Sequence, residues 1–451
     1  MDVDLIDFAS NCVPPWSNYT LADRGKIFQF PVNLLSLVED QLEVLDHRRF
    51  VESTFRHAYH LDSNLEDNNR SADSDSDVMS QTNSEPSSAG STDGWAIAEP
   101  MSDDFSVEDD VDKDYMPSPE WISGWVDHWA SYLLRSRLPE SPEALAGLSP
   151  VPKILTAGHM DALKFASITW DEPRPFTDVA GRICGFFLGS PVQRTAWERT
   201  IIQASEDMYR AHASLSAADE NVLRAGIAHS PSFGRPCNIT IAEANKVTLA
   251  VLRHSKAIQD IISYQNAMLQ AIAPRLWNLG RETADAICAH DSGLRTPFRI
   301  PGHHQHQPTV FAEVEYRFRI EDSMPRVRER AAGRVSGWNV LTSLGHYDST
   351  EGLLILWESN NVLAFPPGST VFLPTGVLTS SFTAVSETAS QMLIVQSLSG
   401  ELEHFVANGC QSESPVVPRF MSAALQRADF LERAEILLGK YPTIDEFDAS
   451  W

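Results

Sequence analysis

Little in this chain supports a disulfide scaffold, a zinc module or a secreted protein. The five cysteines, Cys12, Cys184, Cys237, Cys288 and Cys410, are odd in number, widely scattered and form no C-x-x-C pair, which fits free thiols in a reducing compartment. A run of about 18 apolar residues is missing, so nothing reads as a membrane span. Met1 leads into Asp2, Asp4 and Asp7 instead of a basic stretch and an apolar core, so the signature of a secretory leader is lacking too. These absences set the expectation of an intracellular protein, nuclear or cytoplasmic, with no membrane partner. Neither G-x-x-x-x-G-K nor G-x-S-x-G occurs, which argues against phosphate-loop and nucleophile-elbow chemistry.

Positive charge is also scarce. The 451 residues carry 35 Lys and Arg against 61 Asp and Glu, a net charge of −26. Residues 1–120 hold 26 acidic and 7 basic side chains, so −19 of that total lies in this stretch. A surface that neutralises phosphates normally shows a basic stripe, because counterion release supplies much of nucleic-acid affinity. Basic residues group here only as Arg317 and Arg319 and as Arg326, Arg328 and Arg330. Those side chains are the candidate nucleic-acid contacts.

What is present divides the chain into successive stretches. In residues 1–60, Phe28, Phe30, Leu34, Leu35, Leu37, Val38, Leu42 and Leu45 recur at the spacing of a short amphipathic helix. Residues 61–120 are rich in Ser, Asp, Asn and Glu and poor in aliphatic side chains, the composition of a disordered acidic linker. Residues 121–308 are expected to form a helical flanking region. Trp121, Trp125, Trp129 and Tyr132 share one helical face there, as do Trp197, Ile201, Met208 and Leu215, followed by Val247, Val251, Ala257, Ile258, Ile261 and Ile262. Pro274 interrupts before Leu276 to Ala289 resume. Gly181 to Leu188 is short, apolar and bounded by glycine, as a buried strand would be. His303, His304 and His306 have no carboxylate or thiol at close ligand spacing, so an exposed turn is expected.

The period then changes from helical to two. Val310, Ala312, Val314, Tyr316, Phe318 and Ile320 alternate with Phe311, Glu313, Glu315, Arg317 and Arg319. Short strands are expected at Trp338 to Leu344, Leu353 to Glu358, Val362 to Phe365, Thr370 to Leu373, Phe382 to Val385 and Met392 to Ser397. The spacing predicts an α+β protein with a jelly-roll domain over residues 309–410. Trp338 and Trp357 are expected in its core. Residues 411–451 close the chain with a helix from Arg419 to Leu438, ended by Gly439.

Arg174-Pro-Phe-Thr-Asp178 with Gly181-Arg182, Ala273-Pro-Arg-Leu276, Gly337-Trp338, Leu344-Gly345 with Asp348, Leu354-Ile-Leu-Trp357 and Phe365-Pro-Pro-Gly-Ser369 together resemble a known family. It is the set of fungal, mainly basidiomycete, proteins related to the TET/JBP nucleic-acid-modifying dioxygenases. The similarity runs from about Arg174 to Gly409 and is most specific from Trp338 to Pro374. It implies a double-stranded β-helix core and, in members that retain the catalytic pattern, oxidation of 5-methylpyrimidines in DNA with Fe(II) and 2-oxoglutarate.

Such chemistry needs two histidines and a carboxylate on the iron and an arginine on the far carboxylate of 2-oxoglutarate. The resemblance places the His-x-Asp pair at Arg328 and Arg330, the distal histidine at Ser380 and the arginine at Gln391. All four are degenerate. A guanidinium has no lone pair for a metal, and glutamine supplies no charge. No catalytic residue, metal or cofactor is therefore expected, and the leading reading is an inactive dioxygenase-like protein with a binding or scaffolding role and an unknown partner. Two alternatives stand beside it. One is an active Fe(II)/2-oxoglutarate enzyme on methylated bases, with a metal site rebuilt from His346, Asp348 and His404; the other is a nucleic-acid-binding module using the arginines above.

Overall fold

The computed structural model describes residues 27–39, 155–162, 165–168, 170, 173–188, 194–216, 221–230, 235–298, 309–319, 337–411 and 423–449. In chain order their strands are β1 (Phe28–Gln29), β2 (Ala166–Ile168), β3 (Arg174–Thr177), β4 (Ile183–Phe187), β5 (Val222–Ser230), β6 (Arg235–Asn238) and β7 (Glu313–Arg317). Then come β8 (Asn339–His346), β9 (Leu354–Leu356), β10 (Asn361–Leu363), β11 (Thr370–Leu373), β12 (Ser380–Phe382) and β13 (Ser390–Ser397). The helices are α1 (Ala157–Ala162), α2 (Arg194–His212), α3 (Lys246–His254), α4 (Lys256–Ile272), α5 (Pro274–His290), α6 (Gly400–Ala407), α7 (Ala423–Leu438) and α8 (Ile444–Ala449). The protein is of mixed α+β class.

A larger sheet runs β1-β3-β4-β11-β8-β13-β7-β5-β6, and a smaller one runs β12-β9-β10-β2. From β8 onward the chain passes back and forth between them: β8 in the larger, β9 and β10 in the smaller, β11 in the larger, β12 in the smaller, β13 in the larger. Side chains on a strand alternate between faces, so register decides what lies between the sheets. Leu341, Leu393 and Val371 of the larger sheet share one buried cluster with Leu354, Leu356, Leu363 and Phe382 of the smaller. These side chains, between the two sheets, form the interior part of that cluster. On the opposite face of the smaller sheet, Ile355, Trp357 and Val362 pack with Leu155, Met160 and Phe165.

A helical layer covers the outer face of the larger sheet. Gln265 of α4 donates to Thr342 Oγ1 at 2.8 Å and accepts from Gln396 Nε2 at 2.5 Å, and Thr342 in turn meets Thr370 at 2.8 Å. Four buried polar side chains from α4, β8, β11 and β13 thus satisfy one another away from water. Trp197 of α2, almost fully buried, donates its indole N–H to the Gly368 carbonyl at 2.9 Å. Pro274 occupies the first turn of α5, where its missing N–H costs nothing, and so divides α4 from α5.

Several expectations need correcting. Phe28 and Phe30 do not start a helix: Phe28–Gln29 pairs in parallel with β3, and Phe30 stands before Pro31, where extended backbone is favoured. Helix begins only at 34–39. Val247 and Val251 are exposed while Thr248, Leu249 and Leu252 are buried, because Ser255 caps a new helix at α4 and the period cannot be carried across the break. The region 121–308 supplies β2 to β6 besides its helices. The strand expected at Phe382 to Val385 lies at Ser380–Phe382 instead, since Ser380 and Ser381, though polar, complete the ladder with Leu356 and Ile355.

The acidic linker at 61–120, the Trp121 to Tyr132 face, the His303 to His306 turn, and Arg326, Arg328 and Arg330 lie outside the described residues. Among those described, no helix is long and apolar enough to cross a membrane.

Candidate functional site

Ser380 lies opposite Leu356, and Leu356 belongs to the interior cluster, so Ser380 faces the interior. Gln396 and Thr342 point outward to α4, which sends Gln391, Leu393, Val395, Leu341, Ser343 and Gly345 inward. Ser380 and Gln391, the two described positions among the four the resemblance singled out, therefore look into the space between the sheets.

Gln391 is 3% exposed. Its Nε2 donates to the carbonyl of Gly352 at 2.8 Å and to the hydroxyl of Tyr347 at 3.2 Å. A carbonyl oxygen can only accept, so this contact fixes the nitrogen end of the amide toward Gly352. Both amide donors are used, and Oε1, buried, has no hydrogen-bond partner among the described residues. The side chain thus presents an acceptor to the interior.

Tyr347 completes the cluster. Its hydroxyl donates to the Phe365 carbonyl at 2.5 Å, and because a phenol has one proton, the hydrogen bond with Ser343 must run from the serine to the tyrosine. Burial holds the phenol pKa well above its ordinary value, opposed by the bonds from Ser343 and Gln391. It stays neutral.

The imidazoles expected for a rebuilt metal site are held elsewhere. His346 ends β8, is exposed and stacks on Tyr209 with ring centroids 6.1 Å apart. Asp348 sits in the following turn, where its carboxylate accepts from the Thr350 N–H at 2.9 Å and the Thr350 hydroxyl at 2.8 Å; those bonds lower its pKa. His404 lies on α6 beside Arg433 Nη1 and Asn408 Nδ2, at 3.1 and 3.0 Å from its Nε2. His346 pairs with Ser390 at the start of β13, and His404 follows the end of that strand. At about 3.3 Å per residue the strand alone spans roughly 23 Å. The three side chains are not brought together, and among the described residues no group of three or more His, Cys, Asp or Glu could hold a metal ion.

Of the candidate nucleic-acid contacts, Arg317 faces the interior opposite Leu393 and is ion-paired with Glu315. Glu315 also takes Arg224 Nε at 2.8 Å. Arg319 is exposed at the strand end.

Solved structures offer a distant likeness. NgTET1 in complex with 5mC DNA is 14% identical over 52% of this chain and 83% of its own, with a TM-score of 0.38. An oxidoreductase of the 2OG-Fe(II) oxygenase family from Burkholderia pseudomallei is 9% identical over 49% of this chain and 88% of its own, with a TM-score of 0.25. At these values neither decides anything about the chemistry of this chain. No protein-family model and no curated protein matches it.

The residues at Ser380 and Gln391 do not fit iron and 2-oxoglutarate. Ser380 offers a hydroxyl and no imidazole to a metal, and Gln391 Oε1 would meet a carboxylate oxygen lone pair to lone pair. The motif residues have architectural work instead. Asp178, fully buried, accepts from the N–H groups of Ala180 and Arg182, both at 2.9 Å, and from the Arg182 guanidinium. Arg275 holds the Tyr441 carbonyl at 2.8 Å and Glu446 at 2.6 Å, clamping the C-terminal segment. Trp338 and Trp357 are buried, the latter donating to Ser381 Oγ at 2.8 Å.

Tyr347 was missed from sequence because it is the middle residue of His346-Tyr347-Asp348, where the flanking groups draw the eye. The signal that finds it is parity: 343 and 345 share the inward face of β8, and 347 continues that alternation just past its end.

Proposed function

We propose that the chain is a catalytically silent, dioxygenase-like double-stranded β-helix that acts by binding or scaffolding. The strand orders β7-β13-β8-β11 and β12-β9-β10, with the chain crossing between sheets, support the jelly-roll assignment. One observation carries the functional half: the Gln391 amide spends both donors on Gly352 and Tyr347 and turns its oxygen inward. A group so committed cannot grip a carboxylate without breaking two buried hydrogen bonds. Ser380 removes an imidazole on the facing sheet.

Anaerobic titration with Fe(II) and 2-oxoglutarate tests this. The expected spectrum lacks the visible charge-transfer absorption of an iron-bound 2-oxo acid. A saturable band would overturn the proposal.

A further inference from the structure

The segment from Gly345 to Gly352 leaves the larger sheet and returns to the smaller one. Midway along it the chain puts a ring back into the interior. The hydroxyl of Tyr347 ends among partners from three separate places: Ser343 of β8, the carbonyl of Phe365 after β10, and Gln391 of β13. Both ends of the segment close on that same glutamine, since Gly345 pairs with Gln391 across the ladder and Gly352 takes its Nε2.

Both glycines are needed where they stand. Gly345 has φ +107° and a Cβ there would lie 2.1 Å from the Ser390 carbonyl oxygen; Gly352 has φ +58° and a Cβ would lie 2.8 Å from Gln391 Nε2 and from the Tyr347 ring. The segment is therefore a tight strap with left-handed backbone at each end. One polar atom in this packing is out of place. Gln391 Oε1 is buried with no donor among the described residues, which a core closed for good would be expected to pair or replace, because an unmade buried hydrogen bond costs stability. An interior that exchanges Tyr347 for a molecule bringing its own second donor has no such need.

We propose that the interior is a binding site for a compact hydroxyaryl compound, and that Tyr347 is the chain's own occupant of it, held in place by the strap Gly345–Gly352. An incoming ring takes the place of the tyrosine ring. One hydroxyl takes over the bonds to Ser343 and Phe365, and a second donor on the ring reaches Gln391 Oε1. The inference rests on the non-catalytic reading of the interior.

The test is Tyr347→Ala, with far-UV circular dichroism to confirm the fold, probed with phenol, catechol and benzene by ligand-observed NMR and thermal shift. Phenol should bind this variant at least about tenfold more tightly than benzene, and catechol more tightly than phenol, since each hydroxyl meets a waiting buried partner. Wild-type protein should bind phenol at least about tenfold more weakly than the variant, because Tyr347 competes. A folded variant that binds none of the three, or benzene as well as phenol, overturns the inference. So does wild type binding phenol equally well.

Should Tyr347→Ala fail to fold, Tyr347→Phe keeps the ring and deletes the hydroxyl. Amides of residues 345–352 should then exchange hydrogen at least about tenfold faster while the centres of β8 and β13 stay protected. Unchanged strap exchange overturns the inference. The two proposals fail separately: an iron–2-oxoglutarate band removes the silent reading, and phenol discrimination decides the plug.

Discussion

Gln391 donates its side-chain amide to the Gly352 carbonyl at 2.8 Å, tying the start of β13 to the end of the turn that follows β8. The same nitrogen reaches Tyr347, so one amide locks both the strap and the ring it carries. Replacing that amide with the arginine that the family resemblance implies there would not create a 2-oxoglutarate site. Gln391→Arg buries a cation with no described acid beside it and displaces Tyr347, and is expected to lose on the order of 3 kcal/mol of stability. Urea denaturation of the two proteins measures it, and equal midpoints would show that the interior has room to spare.

Gly352→Ala probes the same lock from the backbone. A methyl group there meets both Gln391 and Tyr347 at 2.8 Å and imposes a left-handed conformation on a residue that resists it. A loss of about 2–3 kcal/mol is expected, with faster amide exchange along the strap. Retained stability would mean that the strap shifts freely.

The network across the outer face of the larger sheet gives an independent prediction. Gln265→Leu strands Thr342 and Gln396 without their partner on α4 and should cost about 2–4 kcal/mol. Gln396→Leu alone should cost a comparable amount, and the double variant clearly less than the sum, because the second change removes a group the first left unsatisfied. Strict additivity in a double-mutant cycle would contradict the coupling.

Glu403 on α6 makes stability depend on pH. It is 8% exposed, neither carboxyl oxygen has a hydrogen-bond partner among the described residues, and burial pushes its pKa from the ordinary 4.5 up to about 8. Between those values the folded chain holds a proton that the unfolded chain has released. Stability should therefore fall as pH rises from about 4.5 to about 8 and level off above, by roughly 1.4 kcal/mol per pH unit at most. Glu403→Gln removes this contribution and should raise the denaturation midpoint at pH 7.5 more than at pH 5. An equal effect at both would refute the assignment.

The sequence was most legible where strands alternate and turns are marked. From β8 to β13 the short apolar runs between Asp348 to Gly352 and Pro366 to Ser369 fall close to their expected places, and Gly439 follows the end of α7, although α8 after it was not expected. Less legible were β5 and β6. In β5, the exposed Arg224 pairs with Glu315 on β7, and Gly226 comes so close to the Ala312 carbonyl that no side chain fits. Neither partner is visible locally. Strand β6 reads Arg-Pro-Cys-Asn, with a proline tolerated because the strand lies at the sheet edge. At the site, the positions of Ser380 and Gln391 could be read from the resemblance alone. What those residues do instead could not, because the bonds from Gln391 to Tyr347 and Gly352 span 44 and 39 positions of chain.

The most direct test of the silent-enzyme account is calorimetric titration of 2-oxoglutarate, with Fe(II) under anaerobic conditions, into wild type and Tyr347→Ala. No binding heat is expected from either, because clearing the ring supplies neither an imidazole at Ser380 nor a guanidinium at Gln391. Stoichiometric binding to the wild-type chain would contradict the account.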